Sequence, residues 1–275
     1  MEIGIFSKTF PRKTLDATLD AVRTHGLKYV QFNMACVGLA PMPEEIHGGL
    51  RERVRRALAV RGLRMSAVSG TFNMIHPDVE KRQDGLRRLA VLANACRDMG
   101  TSTITLCSGT RDPDDTWRRH RENDSVEAWH DLVAAMREAV RIAEQTDVTV
   151  AFEPEVANVV DSAKKGRRLL DEIGSPRLKV VMDGANLFHA SELPRMREVL
   201  DEAFDLLGKD IVLAHAKDLS RDGEAGHEAA GTGLLDYDHY LALLRGTSYD
   251  GPLILHALTE AQVDSCVTFL RGKLV

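Results

Sequence analysis

The chain has 275 residues, 44% of them apolar and 28% charged, with a net charge of −5. That length and apolar content suit one α/β barrel with a large core. The acidic balance argues against general binding to a phosphate backbone, so no nucleic-acid partner is expected, and no apolar run is long enough to cross a membrane.

The first ten residues, MEIGIFSKTF, lack the basic leader, long apolar centre and small-residue cleavage site of a secretory signal. They already hold the first strand, Ile3–Phe6. Seven more strand-like runs follow: Tyr29–Phe32, Met65–Ser69, Thr103–Cys107, Thr149–Glu153, Leu178–Asp183, Ile211–His215 and Leu253–His256. Between them lie amphipathic helical runs with one apolar stripe each. Examples are Leu86, Leu89, Ala90, Ala93 and Cys96; Trp129, Leu132, Val133, Met136 and Val140; and Leu193, Met196, Val199, Leu200 and Phe204. Pro43 suits a first helical turn and Thr259 a cap on the last helix.

Glycine punctuates this pattern. Gly26, Gly62, Gly100, Gly174, Gly208 and Gly246 follow helical runs at spacings of 36, 38, 74, 34 and 38 residues. Glycine takes the left-handed conformation cheaply and so stops a helix. The spacing of 74 is two periods, with the missing stop supplied near Asp147. Eight even strand–helix units predict a single-domain (β/α)8 TIM barrel over residues 1–275. A doubly wound open sheet fits less well, because no glycine-rich dinucleotide loop follows the first strand. Cys36, Cys96, Cys107 and Cys266 are widely spaced without a CxxC pair, as buried thiols of a cytoplasmic protein would be.

Four strand tips carry the chemistry. TVAFE ends in Glu153, KVVMD in Asp183, IVLAH in His215 and LILH in His256. The residue before each tip is apolar (Phe152, Met182, Ala214, Leu255), so alternation points the four polar side chains into the barrel at its C-terminal mouth. All are metal-ligand types, and four together predict a divalent metal site.

Other residues have two readings each. Lys217 shares the parity of His215 and could hold a substrate oxygen or phosphate, or be a surface lysine paired with Asp218. Asn186 could bond substrate or cap a helix. His76 faces the mouth if the third strand is right, or caps and packs before Pro77. Glu155 shares the parity of Glu153 but lies beyond Pro154, which leaves its direction open. The longest irregular stretch, Ser108–Ser125, follows the fourth strand on the catalytic face, where a long loop is a candidate lid. Trp117 within it suggests a wall of the site, whereas Arg118, Arg119 and Arg121, amid five acids, read as a solvated loop.

The segments AFEPE, VVMDGANLF, HAKD, AGTGLLDY and YDGPLILH occur in an order that resembles the xylose isomerase-like barrels. These form the sugar phosphate isomerase/epimerase superfamily, which also includes endonuclease IV. The resemblance spans nearly the whole chain. It implies one divalent metal, often manganese, held by Glu153, Asp183 and His215, with His256 standing where the family has a glutamate. Glu260 lies four residues later and cannot take that place without a register shift. In the family's epimerases two glutamates move the proton on either face of the substrate; here Glu153 remains and His256 replaces the other. The added imidazole shifts metal preference toward Mn, Fe, Co or Zn and away from Mg.

The resemblance therefore implies an isomerase or epimerase acting on a small keto-sugar or polyol derivative, with Glu153 as the proton-moving carboxylate and a homo-oligomer open. His256 is either the fourth metal ligand, the favoured reading, or the second acid/base group, a role that Lys217 could also take. A lyase or dehydratase is the alternative, since elimination needs one base and one acid. An endonuclease IV-like repair enzyme would need more metals and extra histidines at the third and fourth strands. A non-catalytic metal-binding barrel would show no turnover.

Overall fold

The computed structural model describes residues 1–274. Eight parallel strands close into a barrel in chain order: β1 (Ile3–Phe6), β2 (Tyr29–Phe32), β3 (Arg64–Ser69), β4 (Thr103–Cys107), β5 (Thr149–Glu153), β6 (Leu178–Asp183), β7 (Ile211–Ala216) and β8 (Leu253–Leu255). Helices α1 (Leu15–Thr24), α2 (Gly48–Ala59), α3 (Val79–Met99), α4 (Val126–Thr146), α5 (Ala163–Ile173), α6 (Met196–Leu207), α7 (Tyr237–Arg245) and α8 (Val263–Leu274) alternate with the strands.

Strand alternation sorts the core into two parts. Outward residues such as Ile104, Val150, Phe152, Val180, Met182 and Leu255 join the helix stripes in one large cluster. Inward residues Ala67, Ala151, Val181, Leu213 and Ile254 form a separate small cluster that plugs the barrel. Two residues further along the same strands come Ser69, Glu153, Asp183, His215 and His256, so the polar layer stands directly on the apolar plug. A Cβ on the inward Gly4 would lie 2.6 Å from Ile254 Cδ1 and 2.8 Å from Tyr29 Cβ, so only glycine lets β1 approach both neighbours.

Several local expectations need correction. β3 begins one residue earlier than predicted and β7 ends one later, while β8 stops at Leu255 and leaves His256 just beyond it. Gly26, Gly62, Gly100 and Gly174 take positive φ, and Asp147 (φ 54°) fills the predicted gap as the left-handed cap of α4. Gly208 and Gly246 do not: their φ values are −53° and −73°, because the chain continues in a right-handed turn there. Pro43 precedes α2 by several residues and starts no helix. Thr259 does cap the final helical segment, through a capping box with Gln262. No helix among the described residues is long and apolar enough to cross a membrane, and the four cysteines are free and buried.

Candidate active site

A cavity of about 420 Å³ opens at the C-terminal mouth, with Gln31, Thr105, Glu153, Glu155, His215, Lys217 and His256 in its lining. At its floor lies a trio, with Asp183 and His215 buried and Glu153 half-buried. Glu153, Asp183 and His215 offer ligand atoms that all lie within 4.8 Å of one another. His215 Nδ1 is 3.4 Å from Asp183 Oδ2 and 3.5 Å from Glu153 Oε2. A register shift between Val180 and Val181 brings Asp183 level with His215 on the neighbouring strand.

The trio fits a divalent ion. Ligand atoms each about 2.1 Å from a tetrahedral centre stand roughly 3.4 Å apart, the spacing of His215 Nδ1 from both carboxylates here. His215 Nδ1 is buried without a hydrogen-bond partner, as an atom that would share a cation with the two carboxylates would be; besides His215, Asp183 Oδ2 is met only by the Lys217 ammonium.

Neighbouring side chains orient these groups. Asn186, fully buried, donates from Nδ2 to Glu153 Oε1 at 2.5 Å and accepts from Gly226 N at 3.0 Å. It is therefore not the cap of the turn after β6; Asp183 Oδ1 performs that role by accepting from Ala185 N. Lys217 is buried, with Nζ 3.3 Å from Asp183 Oδ2. It is not a surface lysine paired with Asp218. Asp218 turns away and accepts from the backbone N–H groups of Leu219, Gly231 and Leu235, folding the β7–α7 loop. A Cβ on Gly226 would lie 2.5 Å from Ala185 Cβ, so this loop reaches the cavity only through glycine.

Burial and charge set the protonation states. Burial opposes ionisation of Asp183, but Lys217 and His215 outweigh it and hold the carboxyl below its usual range. Burial would lower His215, yet Glu153 and Asp183 raise it to about 9. Lys217 is likewise raised, its burial outweighed by Asp183, Glu153 and Glu155. Glu155 lies inside the cavity, and burial lifts it to about 8 despite Lys217, helped by Glu153 and Asp183. His256 is pushed well below its usual value by burial and by the His215 and Lys217 cations.

His256 stands beside the trio but outside the group of converging ligand atoms. Its ring stacks on His215 on one side and on Phe6 on the other, each at 5.0 Å between centroids. β8 has already ended, and Ala257 turns the chain with φ 53°. Glu260 pairs with Arg12 at 2.5 Å, away from the cavity.

His76 does not line the cavity. Its ring donates to Pro113 O at 3.0 Å and accepts from Asp78 N at 3.0 Å, so it pins the loop after β4 to the start of α3. Trp117 does line the cavity, at its exposed rim. Arg118, Arg119 and Arg121 are exposed, as read from sequence; Arg119 also holds Val156 O at 3.0 Å and Asp161 Oδ2 at 3.2 Å. Sequence reasoning missed Gln31 and Thr105. Their signal was a polar residue at an inward position of an apolar strand, in YVQF and TITLC.

An eight-stranded closed barrel with polar strand tips gathered at its C-terminal mouth defines a TIM-barrel protein with a candidate metal centre. The chain belongs to the xylose isomerase-like TIM barrel family, whose family model matches residues 19–270. No curated protein gives a significant match. Among solved structures, a D-tagatose 3-epimerase-like protein aligns at TM-score 0.78 and 13% identity, over 100% of this chain and 97% of that one. A 3-keto-D-glucoside 4-epimerase from E. coli aligns at 0.72 and 17%, over 99% of each. The IolI protein with a bound zinc atom aligns at 0.74 and 16%, over 100% and 97%. At these identities the likeness is one of fold.

Proposed function

We propose that the protein is a metal-dependent isomerase or epimerase that removes a proton from the carbon beside the carbonyl of a small keto-sugar or polyol derivative. The observation that carries this reading is the convergence of Glu153, Asp183 and His215, with His215 Nδ1 buried and unpartnered, at the floor of a cavity. The family and the named epimerases of the same fold support it.

Glu153, Asp183 and His215 hold one divalent ion. Two carboxylates and an imidazole suit Mn, Fe, Co or Zn better than Mg; manganese is the first choice, and zinc is the ion in the IolI structure. Bound there, such an ion acts as a Lewis acid toward a substrate carbonyl and acidifies the adjacent C–H. Glu153 takes the proton, its carboxylate aimed by Asn186. Lys217 and Glu155 bond substrate oxygens from the cavity wall, and His256 covers the opposite side. Metal analysis of the purified protein, with a screen of keto-sugars for deuterium uptake from heavy water, tests the reading. Protein that lacks metal and exchanges no substrate proton after metal is added would end it.

A dehydratase is the second reading, favoured by His256 in place of a second proton-moving glutamate. Substrate losing the mass of one water in the same screen would establish it. Replacing His256 by Ala separates that residue's roles. Because His256 stands outside the converging trio, the variant is expected to keep its metal and lose turnover at every metal concentration. Loss of metal, with activity recovered by added metal, would make His256 a fourth ligand instead.

Trp117 forms one wall of the rim. Its fluorescence should respond to substrate, and Trp117→Phe should raise KM several-fold with little change in melting temperature, since the indole is 55% exposed. An unchanged KM with a lowered melting point would reduce Trp117 to packing.

A further inference from the structure

The His215 ring is held from behind. Its Nε2 lies 2.8 Å from Gln31 Oε1, and Gln31 Nε2 donates to Thr105 Oγ1 at 3.3 Å. All three side chains are buried. They come from β7, β2 and β4, so the bonds run across the barrel interior.

An amide oxygen accepts and never donates, so the ring atom facing it carries the proton. Without a metal the ring carries a second proton, on Nδ1, beside the two carboxylates; a binding cation displaces that proton, and the one held on Nε2 then leaves the lone pair on Nδ1. That nitrogen faces Asp183 Oδ2 and Glu153 Oε2 and has no hydrogen-bond partner. Were the Gln31 amide turned over, its N–H groups would face Nε2. The imidazole proton would then sit on Nδ1 and block the nitrogen that faces the two carboxylates. The amide as placed gives its oxygen to His215 and its N–H to the Thr105 hydroxyl.

We propose that Gln31 is the positioning residue of this site: it fixes the His215 ring with a proton on Nε2, so that Nδ1 is presented between Glu153 and Asp183, and Thr105 anchors the other end of the Gln31 amide. The ligand role of Nδ1 rests on the metal-dependent reading above; the ring orientation does not. A glutamine serves here as a neutral acceptor. A carboxylate in its place would make the imidazole a stronger ligand, but would add a further anion to a site that already holds Glu153, Glu155 and Asp183.

The test uses metal-stripped full-length protein, with Gln31→Met, which removes the acceptor at similar length, and Gln31→Glu, which keeps it. Thr105→Val is the milder variant should Gln31→Met fold poorly. Three quantities are measured: the 1H–15N resonance of the His215 ring N–H, the Co2+ dissociation constant with its absorption spectrum, and the metal-free melting temperature. The parent and Gln31→Glu are expected to show a protected Nε2–H resonance, with Gln31→Glu binding Co2+ at least as tightly. Gln31→Met should lose that protection and bind Co2+ about 10–100-fold more weakly, the usual loss for an outer-shell partner. Thr105→Val should move both quantities in the same direction by less, and melting temperatures should stay close to the parent.

Equal Co2+ affinity and an unchanged ring resonance in Gln31→Met would overturn the proposal. An equal loss in Gln31→Glu and Gln31→Met would also do so, by showing that the side chain only fills space. A parent that binds no Co2+ yet loses its Nε2–H protection on Gln31→Met would uphold the positioning role and end the metal reading alone.

Discussion

Replacement of Glu153 by Gln is expected to lower turnover by at least about a hundredfold in protein that is folded and metal-replete, the usual scale for loss of a general base. Glu153 closes β5 at the cavity floor, with Oε1 clamped by Asn186 at 2.5 Å and Oε2 facing His215 at 3.5 Å. Glutamine keeps the shape and cannot take up a proton. It also has one oxygen to share between Asn186 and the ion, so assays need saturating metal. Deuterium exchange into substrate should fall in parallel. Near-normal turnover with a full equivalent of metal would remove Glu153 from proton transfer.

Replacement of Asp183 by Ala should abolish metal content and with it all activity. A variant that retains a full equivalent would show the site to be wrongly placed. The parent should melt higher with added Mn2+. An ion at a hundred times its dissociation constant adds about 2.7 kcal/mol, which corresponds to roughly 5–10 °C at this size. Asp183→Ala should show no such rise. The metal-free variant should also be less stable, because Lys217 is left buried without its 3.3 Å partner. Removing one member of a buried pair costs about 3–5 kcal/mol; Glu153 and Glu155 nearby reduce that loss.

The pH dependence has a definite sign. The Asp183 carboxyl is held low in the fold, so its contribution is full above the ordinary aspartate range and fades as pH falls through its lowered value. Lys217 is held high, so its contribution is full below the ordinary lysine range and fades only as pH rises through its raised value. The stability gap between parent and Asp183→Ala should therefore be widest near neutrality and narrow in acid.

The strands and their polar tips were legible in the sequence because the signals are local. Alternation in TVAFE, KVVMD and IVLAH depends on the pleat of one strand, and it assigned Glu153, Asp183 and His215 to the inner face correctly. The helix stops at Gly26, Gly62, Gly100, Gly174 and Asp147 depend on one residue's φ. Gly208 and Gly246 misled because following turns, set by packing, kept the chain right-handed.

What only the tertiary structure decided is which inward side chains touch. Alternation fixes a face but not a height, and height follows from barrel shear and register. The shift between Val180 and Val181 sets Asp183 beside His215. The early end of β8 stacks His256 on His215 and keeps it out of the converging trio. Loop paths turned His76 toward Pro113 and brought Gly226 to Asn186. Gln31 and His215 are 184 residues apart in the chain and 2.8 Å apart in the barrel. The sequence by itself determined the barrel and the residue types at its mouth; closure of that barrel determined their distances, because β2 and β7 meet only once all eight strands have taken their places around the axis.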